Sequence, residues 1–254
     1  MINKVVEVAK EAGEVIRNGF RSNIQIEFKT DAGNLVTNID KASEKIILEF
    51  IKKEYPSHSI IAEESGNVSK SSEYKWVVDP LDGTTNFAHG LPIFSVSIGL
   101  QKNDEIILGV IYDVMRDTMY TAEKGSGAFE NGKKIKVSTN GTLLESNLVT
   151  GFAYDPDKNF TEALKYFGDF IRLTRGVRRL GSAAIDFCYV ASGVFDGFWE
   201  AKLSPWDVCA GLLIVEEAGG KTSNFKGNKV RIDSDSFLAT NGNVHTKMLE
   251  VLGK

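Results

Sequence analysis

Cysteine is almost absent from this chain of 254 residues, which holds only Cys188 and Cys209. Two thiols cannot build a disulfide framework, and these two do not form a CxxC metal or redox pair. Each sits in an apolar stretch of helical period, so both are expected to be reduced core thiols. Histidine is equally scarce. His58, His89 and His245 lie far apart in sequence, which argues against a zinc cluster and against a histidine-based triad. Long apolar runs are missing: the longest, about Val208 to Val215, falls far short of the roughly 18 residues that suggest a membrane span. There is no basic surplus either. Lys and Arg number 30 against 34 Asp and Glu, a net charge of −4, so no nucleic-acid footprint is expected. No GxSxG nucleophile elbow occurs. Gly127-x-x-x-x-Gly132-Lys133 misses a P-loop, because Lys134 stands where Ser or Thr should hold magnesium and the segment reads as a hairpin. The first residues, Met-Ile-Asn-Lys followed by Glu7, Glu11 and Glu14, have neither signal-peptide nor transit-peptide character. A cytoplasmic protein with no membrane association is the expectation.

What is present is ordinary globular composition, 42% hydrophobic and 25% charged, in a chain long enough to bury a sizeable core. At roughly 150 residues per domain, the length allows one large domain or two intimate halves. Apolar periodicity predicts helices over 3–20 and 38–54, and a polar hairpin or loop over 21–36. Short strands follow at Ser59–Ala62 and Trp76–Val78, the second ending in Asp79. Residues 93–130 alternate in the manner of an antiparallel meander, closed by the hairpin signal Asn131-Gly132. Beyond residue 145 the predicted order is strand 147–151, helix 160–173, helix 182–192, strand 195–200, helix 206–218, strand 237–240 and helix 243–252. Helix and sheet runs in this order suggest stacked layers. A boundary near residue 140 divides the chain into an N-terminal metal-binding α+β half, 1–140, and a C-terminal α/β half, 141–254, packed tightly as one unit.

Three acidic clusters sit at predicted strand ends or helix starts: Glu63-Glu64, Asp79-Pro80-Leu81-Asp82, and Asp207 beside Trp206. Strand ends are where open α/β sheets place their ligands. Two carboxylates three apart across a tight turn can converge on one cation, with the Leu81 carbonyl between them as a further oxygen. Oxygen ligands without His or Cys favour magnesium, manganese or calcium over zinc. Gly83-Thr84-Thr85 follows at once, and Asn86-Phe87 begins a helical turn whose backbone N–H groups suit an anion. Taken alone, Thr37-Asn38-Ile39-Asp40 fits a helix capping box, and Glu63-Glu64 fits a solvated loop.

The segment Asp79-Pro-Leu-Asp-Gly-Thr-Thr-Asn-Phe87 resembles the signature of the inositol monophosphatase family of magnesium-dependent, lithium-sensitive phosphatases. Trp206-Asp-Val-Cys-Ala-Gly-Leu-Leu-Ile-Val-Glu-Glu-Ala-Gly-Gly220 resembles its second signature. Leu35–Asp40, Ile61–Ser65 and Gly181–Ala184 match in order, so the resemblance covers essentially the whole chain. It implies a layered αβαβα sandwich like that of inositol monophosphatase and fructose-1,6-bisphosphatase, assembled as a homodimer. It also implies hydrolysis of a sugar or cyclitol phosphate by a metal-activated water, with two to three Mg2+ per subunit and Mn2+ able to substitute. Carried over by position, Glu63, Asp79 and the Leu81 carbonyl hold one ion, and Asp79, Asp82 and Asp207 a second. Glu63 shares a third. Thr84 and Glu63 orient and deprotonate the water, and Asp40 positions Thr84. Asp82, Gly83, Thr84, Gly181, Ser182, Ala183, Glu200 and Asp207 face the substrate. Lys29 matches a family lysine near the phosphate and reads equally well as a surface lysine. Glu64 is a supporting position. Arg178 and Arg179 would suit a second phosphate or a solvated or interface role. Inositol monophosphate is the expected substrate. Fructose 1,6-bisphosphate (alone or as a second substrate), 3′-phosphoadenosine 5′-phosphate and a regulatory protein-binding module are the alternatives.

Overall fold

Helix α1 (Ile2–Gly19) carries one apolar stripe, Val5, Val8, Ala9, Ala12 and Ile16, and all of it is buried. In this computed structural model, which describes residues 1–22, 25–28, 35–152 and 160–253, a two-stranded hairpin leads from α1 to the next helix. Its strands are β1 (Ile26–Phe28) and β2 (Leu35–Thr37). Helix α2 (Asn38–Glu54) then packs beside α1, burying Ile47, Leu48 and Ile51.

These two helices cover one face of an eight-stranded sheet. Its strands are β3 (Ser59–Ala62), β4 (Gly66–Val68), β5 (Tyr74–Asp82), β6 (Ser95–Lys102), β7 (Glu105–Asp113), β8 (Thr118–Glu123), β9 (Gly127–Glu130) and β10 (Lys133–Lys134). The spatial order is β10-β9-β8-β7-β6-β5-β3-β4. The β3–β5 pair is parallel and its neighbours are antiparallel. The predicted meander is β6 to β9. Glu130 pairs with Lys133 across Asn131-Gly132. Both turn residues have positive φ, 47° and 78°, as a two-residue turn matching the strand twist requires.

Helix α3 (Thr84–Ala88) links β5 to β6. The second half begins with β11 (Asn147–Thr150), α4 (Phe160–Leu173), β12 (Gly176–Arg178) and α5 (Ala183–Ala191). It continues with β13 (Gly197–Ala201), α6 (Pro205–Glu217), β14 (Lys221–Ser223), β15 (Ser236–Thr240) and α7 (His245–Leu252). Its five strands form a mixed sheet, β12-β11-β13-β15-β14. Helices α5 and α6 lie between the two sheets, and α4 and α7 cover the far face.

The layers are therefore αβαβα. The longest apolar run now has its reason: Val208 through Val215 are all buried because α6 touches both sheets, and a helix apolar on every side belongs in a core. Cys188 and Cys209 are free buried thiols there. The middle core joins Val77, Ile111 and Tyr120 to Phe187, Val208 and Phe237, so it draws on chain from both sides of residue 140. Each large side chain fully buried in it contributes about 1.5–3 kcal/mol.

Candidate active site and metal centre

The Asp-Pro-Leu-Asp segment does not turn out of its strand. It lies inside β5, where Asp79 pairs with Ser97 and Asp82 with Ser95. Three steps along β5 thus match two along β6, which is a β-bulge. In a regular strand, residues three apart point to opposite faces; the extra residue cancels that alternation. Pro80, which has no N–H to give, fits the bulge. The tight turn expected between the two acids is replaced by this irregularity. The two carboxylates still converge: one oxygen each from Asp79, Asp82 and Asp207 lies within 4.8 Å of the others.

Anchors fix each carboxylate. The Leu81 N–H donates to Asp79 Oδ1 at 3.0 Å. The Ala184 N–H donates to Asp82 Oδ2 at 2.8 Å, joined by the Ser182 hydroxyl. The Ser204 N–H donates to Asp207 Oδ2 at 2.7 Å, within a capping box that starts α6 behind Pro205. Glu63 follows β3 directly, its N–H on the Val78 carbonyl at 3.2 Å, and its side chain lines the same pocket.

Helix α2 supports this wall from behind. Ser43 donates to the Pro80 carbonyl at 2.8 Å. Thr37 and Asp40 form a capping box, and Asp40 Oδ1 also lies 2.9 Å from Thr84 Oγ1, which sits 3.0 Å from the Leu81 carbonyl. The cap and the site contact thus coexist in Asp40. Gly83 precedes α3 with φ 96°, where a Cβ would stand 2.9 Å from the Ile93 carbonyl. Asn86 then ties α3 across the site, donating to the Ile93 and Leu180 carbonyls at 2.8 Å each.

The opposite wall holds Gly181, Ser182, Ala183, Glu200 and Arg179. Arg178 is not among the residues lining this pocket; its Nη1 donates to the Val177 carbonyl at 3.2 Å. Glu64 lines a separate surface hollow with Lys41, Glu44 and Lys45, and its N–H donates to Glu44 at 2.9 Å. Lys29 lies outside the described residues.

Gly151, Phe152, Asp186 and Leu203 of the pocket lie outside the residues the sequence singles out, and two of them bear on its chemistry. Gly151 faces Glu200 so closely that a Cβ would stand 2.1 Å from Oε2. Asp186, on the first turn of α5, also lines the pocket. Its signal was available: a lone acid inside the apolar run Ala183–Ala191 must have a reason, since buried charge is costly.

Crowding of like charge in a buried pocket pushes these acids up. Burial first, then Glu63, Asp82 and Asp207, hold Asp79 well above the usual carboxylate range. Burial raises Asp82 to about 6 against the hydrogen bond from Ser182. Asp207 is also well raised, by burial and then by Asp82 and Glu63. Burial pushes Glu200 to about 8, against the opposing charge of Arg179. Asp40 and Asp186 are raised as well, each chiefly by burial. Such a cluster is relieved by cations, and its all-oxygen donors suit a hard divalent ion.

Comparison with known proteins agrees with this geometry. The inositol monophosphatase family matches residues 1–253. An inositol-1-monophosphatase of Synechocystis sp. is 46% identical over 229 residues, 90% of this chain and 80% of that protein. A Nus factor SuhB of Pasteurella multocida is 42% identical over 242 residues, 94% of this chain and 90% of that protein. Among solved structures, the extragenic suppressor protein SuhB of Bartonella henselae superposes with a TM-score of 0.95 at 37% identity, covering 100% of this chain and 98% of the other. With the αβαβα layers and both signatures in place, the chain belongs to the inositol monophosphatase family and is a phosphoric monoester hydrolase.

Proposed function

We propose that the protein releases phosphate from myo-inositol monophosphate, using two to three Mg2+ held by its acidic cluster. The observation that carries this is the convergence of Asp79, Asp82 and Asp207 within 4.8 Å, beside a threonine whose hydroxyl is engaged by Asp40. Three carboxylates sharing that space fit a divalent cation better than they fit one another. Glu63, Asp79 and the Leu81 carbonyl would hold one ion; Asp79, Asp82 and Asp207 a second; Glu63 a share of a third. When bound, such ions would supply charge neutralisation for the transferring phosphoryl group and a water acidic enough to ionise near neutral pH.

The chain's own groups do the rest. The Thr84 hydroxyl donates a hydrogen bond to Asp40, so its oxygen is left to accept one from the attacking water. Glu63 takes the proton that water releases. The start of α3, at Thr84 and Thr85 behind Gly83, offers backbone N–H groups to the phosphate. Glu200, whose carboxyl burial raises to about 8, faces the alcohol hydroxyls from β13. Arg179 faces Glu200 and Asp186 across the pocket wall, and their charges already act on one another. That favours a hydroxylated monophosphate over a bisphosphate. A homodimer and a cytoplasmic location belong to the same proposal. No helix among the described residues is long and apolar enough to cross a membrane, and sedimentation at two protein concentrations tests the dimer.

The test is phosphate release from inositol 1-phosphate and fructose 1,6-bisphosphate side by side, with magnesium and with chelator. Magnesium-dependent release from the inositol ester in clear preference is the expected result. Equal release from both would make Arg179 a phosphate ligand, and release from neither would contradict the reading. The relatives named as Nus factors favour a second reading, an added regulatory protein-binding role. A cellular role that survives Asp79→Asn would support it.

A further inference from the structure

Asp186 is the one acid of the pocket without a part in the reaction derived above. Its residue is 1% exposed, and Oδ1 has no hydrogen-bond partner. The other residues of α5, from Ala183 to Ala191, are apolar, apart from the Tyr189 hydroxyl. An unsatisfied carboxyl in a helix wedged between two sheets costs stability, and an apolar side chain would serve packing better. The cost is explained if a ligand supplies the missing partner.

Position says which part of the ligand that is. The first turn of α5 holds Asp82 through Ser182 and Ala184. Asp186 lies beyond that contact along the same helix and lines the pocket together with Glu200. The metal-gathering residues stand on the other wall, on β5 and α6. The carboxyl therefore belongs to the end of the pocket that receives the alcohol. It makes no part of the three-acid cluster, so a neutral hydroxyl is the ligand it suits. Two acids in one wall match a polyol that presents adjacent hydroxyls.

We propose that Asp186 is a specificity residue for a polyhydroxylated leaving alcohol: one hydroxyl donates to its unpartnered Oδ1 while Glu200 engages another. This rests on the reading of the site as a monoester hydrolase whose alcohol lies against α5 and β13.

The experiment compares wild type, Asp186→Ala and Asp186→Asn at saturating magnesium. The two esters are myo-inositol 1-phosphate and 4-nitrophenyl phosphate, whose leaving group has no further hydroxyl. One lost hydrogen bond, with the substrate hydroxyl left unsatisfied in the pocket, predicts a loss of about ten- to a hundredfold in kcat/KM on the inositol ester for Asp186→Ala. The aryl ester is expected to change by no more than about twofold, because a hydroxyl-free group forfeits nothing. Asp186→Asn, which keeps an acceptor oxygen, is expected to retain most of the activity on the inositol ester. Thermal melts establish that both variants fold. Equal losses on both esters would overturn the Asp186 assignment and leave the hydrolase reading standing. So would turnover of the aryl ester alone by wild type. Release from neither ester by wild type would overturn both.

Discussion

The titration of single carboxyls gives the site a pH signature. Asp82 is raised to about 6 and Glu200 to about 8 in the folded protein, above their values in the unfolded chain. A carboxyl with a raised folded pKa stabilises the protein below its unfolded pKa, and that contribution is lost as pH rises through the folded value. Metal-free protein is therefore expected to lose stability from about pH 4 to about pH 8 on account of these groups. Cations bind the ionised form, so the rise in melting temperature given by saturating magnesium should grow across that range. A magnesium increment independent of pH would count against the crowded-acid description. At this scale the sequence was largely readable. Asp79 and Asp82 declared themselves because acids flanking Pro, Gly and Thr have few structural uses, and Asp207 through the second signature that begins at Trp206. Gly151 was not readable, since its need arises only when Glu200 from another strand swings against it.

Elements decide how those residues meet. The sequence places Asp79 at the end of a strand, yet β5 runs on to Asp82. Proline within an apolar strand reads as a terminator, and a bulge is defined by its partner strand, which no local window contains. Helices over 38–54 and 160–173 form where the periodicity predicts, because their buried stripes repeat over several turns. The short strands β4, β12 and β14 were not foreseen, being three residues of edge without alternation. Element ends also do chemistry. Ser182 caps α5, accepting from the Ile185 N–H, and donates to Asp82. Ser182→Ala should cost about 1 kcal/mol of stability through the lost cap. It should also weaken magnesium binding, because Asp82 loses one of its anchors. A lower melting temperature with unchanged magnesium affinity would limit Ser182 to capping.

Across the whole molecule, the site sits where the layers meet. Its residues come from the end of β3 and from β5, α3, α5, β13 and α6, and the middle core of both sheets fixes their relative positions. The layer order was legible from the alternation of helical and strand periods. The side-by-side placement of residues about a hundred or more apart, such as Asp82 and Ser182, was not, because packing alone brings them together. The proposed function turns on carboxylates gathered by the β5 bulge holding the cations that drive phosphate release. The most direct measurement is magnesium-dependent phosphate release from myo-inositol 1-phosphate by wild type, Asp79→Asn and Glu63→Gln, with folding verified by circular dichroism. Both variants are expected to fold and to lose at least about a hundredfold in turnover, the scale of removing preorganised charge from a reacting centre. Folded variants that turn over at near wild-type rates would contradict the proposed function.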